Sequence, residues 1–415
     1  MTHRRQPAAV VLVDALSTGA LLVPRVRNRC RLIHIRSRAD LPAVFAASLP
    51  VSQFDADICY ADGADEVLRV LAEENPIAVI AASEFGVEVA DEIAAKLGLR
   101  GNDPHRSRVR RDKFHMLEAV AAAGLRTAAQ TRGTTAAELL AWRRASGLRR
   151  TVIKPLDSAG SEDVFVADTD AQVSAAVAAM LGKTNLMLRT NEAVLAQEYL
   201  VGQEYVVNSV SRDGVHRITD AWASHKATVD DERRIYDHED LLAPSEPHAA
   251  EIFAYVRGVL DALGVANGPA HTELIRTAEG PVLLETGARL SGLAEPRALD
   301  RCTGVNQVDL TVDCFLDDGR VLAAQPPVYV RRERARCVNL IARRATPLPA
   351  TALRAALERL PAFQSVRFRI RDRAMTRPTV DLNSSPGVVF LVHSEAAEIE
   401  RSYHELRRTE SKFLS

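Results

Sequence analysis

His271–Leu293, HTELIRTAEGPVLLETGARLSGL, is the stretch whose reading decides the fold. It is two short apolar runs around Ala278-Glu279-Gly280, the pattern of a β-hairpin. Centring the turn on Glu279 pairs Thr277 with Pro281, Ile275 with Leu283 and Glu273 with Glu285. The two carboxylates then face each other with Cβ atoms about 5 Å apart, which destabilises a hairpin unless a cation sits between them. Oxygen donors on facing strands suit Mg²⁺, a hard cation that takes one or two carboxylates plus substrate phosphates. Arg289 follows Glu285 by four residues and can serve the same place. A solvated hairpin in another register is the competing reading, and the rest of the chain must decide between the two.

Outward from this hairpin, the N-terminal hundred residues alternate short apolar runs with helical stretches. AVVLV (9–13), RLIHI (31–35) and IAVIAA (77–82) read as parallel strands buried on both faces, and GVEVADEIAAKLGL (86–99) as an amphipathic helix ended by Gly98. This predicts a doubly wound α/β unit, without the GxGxxG of a dinucleotide site after its first strand. The basic stretch 100–112 reads as a linker, and 112–124 as a helix capped by Asp112. The middle of the chain predicts strands at 151–155, 163–167, 194–200, 203–210 and 215–222, the last two joined at Asp213-Gly214. Residues 223–246 are highly charged with little periodicity and predict a mobile loop of the active-site-lid kind. A helix over 247–263, strands near 336–341, 365–370 and 387–393, and a helix from 395 predict a small C-terminal α+β subdomain. Boundaries fall at 1–104, 105–325 and 326–415.

Composition limits the function classes. The 415 residues are 47% hydrophobic and carry a net charge of −1, so no global field favours nucleic acid or an anionic membrane. No apolar run approaches the roughly 20 residues of a membrane span. The N-terminal MTHRRQPAAVVLVDALSTG mimics a signal peptide, but Asp14 interrupts its apolar run and a first buried strand fits better. Cys30, Cys59, Cys302, Cys314 and Cys337 are scattered without a CxxC pair, which argues for a reduced cytoplasm and against zinc. Of 53 basic residues only 6 are lysine, so each lysine is a candidate for a task needing a compact ammonium.

Two lysines fit a phosphate site. VIKP (152–155) ends a strand with Lys154, and DSAGSED (157–163) follows as a small-residue loop able to present backbone amides to phosphates. Lys113 opens a helix, where a cation opposes the helix dipole unless an anion lies nearby. Gly182-Lys183-Thr184 resembles the tail of a Walker A loop, but the required upstream glycine is Val177. In AQEYLVGQEYVV (196–207), the strand end Gln197-Glu198-Tyr199-Leu200 offers backbone to a purine edge and Glu204 offers a carboxylate to ribose; solvated strand ends are the plain alternative.

The ordered set of a doubly wound N-domain, RRDK with Lys113, VIKP with Lys154, the Ser158–Ser161 loop, QEYL, GQEY and paired glutamates before an arginine resembles the ATP-grasp superfamily of carboxylate–amine ligases. The resemblance implies ATP held between two α+β lobes, with the lobe about 126–203 closing as a lid. It implies that Lys113 and Lys154 contact phosphates, that Ser158, Ala159, Gly160 and Ser161 cover them, and that Gln197, Glu198, Tyr199 and Leu200 line adenine while Glu204 takes the ribose. Glu273 and Glu285 would hold Mg²⁺, with Mn²⁺ the alternative metal, and Arg289 with the Gly292 N–H would face the reaction centre. Glu84, Ser291, Leu293 and a histidine of the 223–246 segment, His238 or His225, would meet the substrate.

One departure is informative. Most members carry ExNxR, whereas here Glu285-Thr-Gly-Ala-Arg289 has glycine at 287, which puts a second tightly held metal in doubt. ETGARLSG after HTE, and the N-terminal VVLVDALSTGALLVP, are more similar to the bacterial L-amino-acid (dipeptide) ligases and the dapdiamide synthetase group. The expected activity is ATP-dependent amide formation between a carboxylate, an L-amino acid, and the amine of a second amino acid, through an acyl phosphate with release of ADP. The alternatives are a non-amino-acid carboxylate as the acid, or a nucleotide-binding module without ligation. Small-molecule substrates, a cytoplasmic setting and a homodimer are expected, with no nucleic acid or membrane partner.

Overall fold

The computed structural model describes residues 7–41, 43–158, 163–229 and 233–414. They form three sheets. The first is parallel, with strands β1 (Ala9–Val13), β2 (Arg31–Arg36), β3 (Ala56–Cys59) and β4 (Pro76–Ala81) in the order β3-β2-β1-β4. Every residue of β1 is buried, because helices cover both faces of the sheet. β3, an edge strand with the polar Asp57 at its centre, lacks the apolar run that marks the other three.

The second sheet is antiparallel, with β5 (Gln130–Gly133), β6 (Thr151–Pro155), β7 (Phe165–Ala167) and β8 (Val194–Glu198) in the order β5-β8-β6-β7. Helices Ala136–Ser146 and Asp170–Met180 pack on it through Leu139, Ile153, Val173, Val177 and Met180. The second helix starts with a full capping box, Thr169 with Gln172.

The third sheet positions the site. It comprises β9 (Gln203–Arg212), β10 (Val215–Val229), β11 (Arg233–Leu241), β12 (Gly268–Thr277), β13 (Gly280–Gly287), β14 (Arg334–Asn339), β15 (Phe363–Phe368) and β16 (Gly387–His393). Their order, β13-β12-β9-β10-β11-β14-β16-β15, is antiparallel throughout. The strands of the 326–415 segment therefore continue the sheet that carries Glu273 and Glu285.

Three expectations are corrected here. The β12–β13 turn is one residue tighter than expected: Thr277 pairs with Gly280, Ile275 with Val282 and Leu274 with Leu283. A bulge at Leu284 then restores Glu273 opposite Glu285. The tight turn is closed by the Thr277 hydroxyl donating to the Gly280 carbonyl at 3.0 Å. Residues 223–246 are no loop: β10 runs to Val229 and β11 starts at Arg233, so most of the segment is a hairpin. Its strand pattern is disguised, because two of the buried positions are acids, Asp237 and Glu239, and a bulge at Asp237 breaks the period of two. Finally, the basic stretch 100–112 is no solvated linker. Pro104–Arg110 is a 3₁₀ helix, and Arg110 is fully buried. Its guanidinium pairs with Asp91 at 2.8 Å and donates to the Leu263 carbonyl at 3.1 Å, at the C-terminus of helix Ala249–Leu263, where a cation complements the dipole.

Candidate active site

Alternation along the central sheet sorts its charged residues. Trp222 pairs with Val206 and Val206 with Glu273, which faces Glu285; two residues along β10, Ser224 pairs with Glu239. These side chains share one face, the inner one. The intervening pairs, Ala223 with Asp240 and His225 with His238, point to the other.

Lys113 reaches the inner face from helix Lys113–Ala122, which Asp112 caps by accepting from the amides of Phe114 and His115. The Lys113 amide donates to the Leu156 carbonyl just past β6, which brings the helix start to the strand bearing Lys154. Lys113 Nζ lies 2.7 Å from Glu285 Oε2 and donates to the Ser158 carbonyl at 3.0 Å. Burial alone would raise the Glu285 carboxyl, but Lys113, Lys154 and Arg289 outweigh it and hold it well below the usual carboxylate range. Lys154 is the frustrated member. Burial and the adjacent Lys113 charge push its ammonium down to about 8, and it makes no hydrogen bond or ion pair among the described residues. Two buried ammonium groups around one carboxylate leave a positive excess that an anion would neutralise.

Glu273 is held by His271, whose Nε2 lies 3.2 Å from Glu273 Oε1 while its Nδ1 meets Asn208 Oδ1 at 2.9 Å. His271 was missed from sequence, although it stands two residues before Glu273 on the same strand face, a period-two relation that points to it.

Glu84 is a clamp rather than a free substrate contact. One oxygen takes Arg111 and the other takes Arg289 Nε at 2.9 Å. Arg111, buried and also bound to Asp157 at 2.8 Å, anchors the chain of charges. Arg289 NH1 donates to the Leu290 carbonyl at 2.9 Å, so its fork is oriented before any ligand arrives. The same clamp explains the glycine at 287. A Cβ there would lie 2.5 Å from Glu84 Oε2, so an asparagine would need the clamped Glu84 carboxylate to shift. The space it would use is filled by the Glu84 carboxylate.

The other expected residues divide. Ser291 and Leu293 line a pocket with Val206, Asn208, Trp222, Glu239 and Leu299, and the Ser291 hydroxyl accepts from the Leu293 amide at 3.2 Å. The Gly292 carbonyl takes Arg367, and its amide has no acceptor among the described residues. Glu204 accepts from Tyr236 at 2.6 Å and from Lys226 at 2.8 Å. Gln197 is buried in the second sheet and donates to Gln130 at 3.2 Å, so its side chain serves the fold. The Glu198 carboxylate accepts from the Ala129 amide, Tyr199 lies under the Arg150 guanidinium, and the Leu200 amide has no acceptor among the described residues. Ser158 contributes its carbonyl to Lys113, while Ala159, Gly160 and Ser161 lie outside the described residues.

His225 and His238 are corrected. They stack on the outer face, with ring centroids 4.6 Å apart, and His238 also packs on Tyr403 of helix Ala396–Leu414. A bulge at Asp237 keeps both Asp237 and His238 on that side, away from Glu273 and Glu285. The inner-face residue of this strand is Glu239, which sequence reasoning passed over because it sat in a run of charge.

Known proteins resemble this chain in sequence and in fold. Residues 149–297 match the ATP-grasp domain family. The chain is similar to dapdiamide A synthase of Enterobacter agglomerans, with 29% identity over 97% of this chain and 96% of that protein. Among solved structures it resembles the L-amino acid ligase of Bacillus licheniformis (TM-score 0.74, 17% identity, 98% of each chain). It equally resembles an ATP complex of carboxyaminoimidazole ribonucleotide synthase from Aspergillus clavatus (TM-score 0.74, 17% identity, 98% of this chain and 99% of that one). Residues 149–297 thus carry an ATP-grasp domain, and the chain as a whole has the fold of these ligases.

Proposed function

We propose that this chain joins the carboxylate of an L-amino acid to the amine of a second amino acid, using ATP and an acyl phosphate, with release of ADP and phosphate. The observation that carries the reading is the facing pair Glu273 and Glu285, with Lys113 beside it, Lys154 free of ion pairs among the described residues, and Arg289 clamped by Glu84.

The residues fit the parts of such a reaction. A substrate carboxylate oxygen attacks the γ-phosphorus, the bond to the ADP oxygen breaks, and the charge spread over the transferring group is met by Lys113 and Lys154. The paired carboxylates suit a hard divalent cation, and Lys113 already neutralises Glu285 where one would sit. When bound there, Mg²⁺, or Mn²⁺ in its place, supplies further neutralisation of the phosphoryl oxygens. The amine then attacks the acyl carbon, phosphate leaves, and the amine loses a proton. Arg289, with the Gly292 amide, would hold the oxyanion in that step. The Ser158–Ser161 loop would cover the phosphates, the Glu198–Leu200 backbone the adenine, and Glu204 the ribose once Tyr236 or Lys226 yields an oxygen. A reducing setting, the cytoplasm, suits a chain whose five cysteines are all free thiols.

A phosphate-release screen of amino acids, singly and in pairs, followed by mass spectrometry of the products, tests the proposal. ADP and phosphate released only with an acid and an amine present would support it. AMP and pyrophosphate would replace the acyl phosphate by an adenylate. ATP binding without amine-dependent turnover would leave a nucleotide-binding module. Similarity to dapdiamide A synthase keeps a second reading in play, a ligase taking a non-amino-acid carboxylate; the same screen, extended to simple carboxylic acids, distinguishes the two.

A further inference from the structure

The inner face carries one carboxylate that no part of the scheme above uses. Glu239 projects from β11 into a small cavity of about 10 Å³ lined by Trp222, Asn208, Ser291 and Leu293, and is only 6% exposed. It makes no hydrogen bond or ion pair among the described residues. Its neighbour in the pocket, Asp220, is different: Asn208 and Trp222 Nε1 each donate to it at 2.6 Å and Thr219 at 2.8 Å, so its acceptor capacity is met inside the protein. Arg369 acts on Glu239 electrostatically but spends its own donors on the carbonyls of Ser385 and Gly387 and on Asn339. Burial, together with repulsion from Glu273 and Glu204, pushes the Glu239 carboxyl up to about 8. A buried carboxylate without a partner is costly, and such groups are retained where a ligand completes them.

The walls of the pocket say what that ligand is like. Trp222, Val206, Leu293 and Leu299 close it on the apolar side, so it admits a head group the size of a water or an ammonium and no side chain, and Glu239 is the one acid there with its acceptors unfilled by the described residues. Ser291 and Leu293 continue directly from Arg289, so a carboxylate near Arg289 has its remaining atoms beside this pocket.

We propose that Glu239 is the specificity residue for the acid substrate: it receives an ammonium group, so that the enzyme activates amino-substituted carboxylic acids and rejects their deamino counterparts. This deepens the ligase reading and rests on it for the identity of the pocket as the acid site. The shared chemistry is an ammonium on a carboxylic acid; an α-ammonium and a side-chain ammonium are separated by the substrates tried. A neutral glutamic acid donating a single hydrogen bond is the other state this carboxyl can take, and glutamine mimics it.

The test combines binding with turnover. Calorimetric titration of the full chain, with Mg²⁺ and a non-hydrolysable ATP analogue present, compares α-amino acids, ω-amino acids and deamino acids of equal length. The expected result is preference for one ammonium-bearing class, with binding weakened about 10²-fold in Glu239→Gln and in Glu239→Leu, the scale for losing one partner of a desolvated charge pair. Phosphate release should show the same loss in KM more than in kcat, while Glu239→Asp should recover part of it. Equal binding of amino and deamino acids by the wild type, or unchanged amino-acid binding in Glu239→Leu with its melting temperature preserved, overturns the proposal. Full activity in Glu239→Gln overturns it too, in favour of the neutral hydrogen-bond donor. Ammonium-selective binding that depends on Glu239 but leads to no ADP release would uphold the residue's role and remove the ligase reading instead.

Discussion

The two faces of the β10–β11 hairpin carry similar residues under opposite electrostatic rules. On the outer face each acid has its cation in hand. Asp237 accepts from Tyr403 at 2.6 Å, contacts His238 Nδ1 at 2.7 Å and pairs with Arg407. Burial would raise its carboxyl, but His238 and Arg407 hold it far below the ordinary value. Asp240 takes Arg336 through both oxygens, at 2.7 and 3.0 Å. On the inner face some charges are paired, as Lys113 is with Glu285, but like charges are also gathered: Glu273 stands against Glu285 and Lys113 beside Lys154, and among the described residues Lys154 and Glu239 have no ion-pair partner. A protein stabilised only for folding would not keep the second pattern, because each unmet charge costs free energy. Charges that satisfy one another hold the sheet together, and charges left unmet mark where a substrate is awaited.

The comparison breaks most visibly if inner-face substitutions fail to affect chemistry. Glu285→Gln and Arg289→Ala should each lower ligation by at least about 10²–10³-fold, the scale for losing one preorganised charge partner, with circular dichroism and melting temperature near those of the wild type. Near-normal phosphate release in either variant would remove that residue from its role. A smaller, pH-dependent effect belongs to Glu239. Its carboxyl sits near 4.5 when unfolded and is raised to about 8 when folded, so folding takes up a proton between those limits. Stability is therefore highest below the lower value and falls as pH rises to the upper one, by at most about 1.4 kcal/mol per pH unit. The groups that set this are Glu273, Glu204 and Asp220 against Arg369. In Glu239→Gln this contribution should vanish, so the variant should gain on the wild type from pH 5 to pH 8 in urea unfolding. Parallel pH profiles would mean that Glu239 already has a partner.

The outer face predicts the reverse division. Asp237→Ala strips Tyr403 and His238 of an acceptor and leaves Arg407 with the Glu410 carboxylate at 2.9 Å and the carbonyls of Asn339 and Asp237 at 3.0 and 3.1 Å. A loss of about 2–3 kcal/mol is expected in chemical denaturation. At temperatures where the variant is folded, KM values should stay within about twofold of the wild type, because no outer-face charge points at the substrate.

How much of this was legible in the sequence follows the same line. The parallel strands β1, β2 and β4 declared themselves because two-sided burial leaves an unbroken apolar run. The Glu273–Glu285 pair was readable because its hairpin alternates cleanly, although the tight turn and the Leu284 bulge shift the register twice and cancel. The lysines stood out against an arginine-rich background. What hid was charge used in the interior. Arg110 and Arg111 looked like a solvated linker, and their partners Asp91, Glu84 and Asp157 lie far along the chain, so local pattern carries no trace of them. The β10–β11 hairpin hid for the same reason: its buried positions are filled by Asp237 and Glu239 in place of apolar residues. Glycine at 287 was readable as a departure, but its cause, the Glu84 clamp, needed the fold.

The smallest expected effect sharpens the comparison furthest. Sequence resemblance placed a histidine of this hairpin at the substrate, and the register places both histidines on the far side of the sheet. His225 is part exposed, and burial, with electrostatic repulsion from His238, lowers its imidazole below the ordinary value, so a stacked ring is its clearest contribution. His225→Phe retains an aromatic surface against His238 and removes only the 3.8 Å contact with Asp240. Its kcat and KM should therefore match the wild type within about twofold, as is usual for a surface substitution that breaks no buried network. The same substitution made at an inner-face position such as His271, whose two nitrogens hold Asn208 and Glu273, should instead weaken Mg²⁺-dependent turnover by about 10–100-fold, the scale for losing the group that orients a metal ligand. If the two variants behaved alike, the division between a face that holds and a face that waits would be wrong, however well each residue is placed.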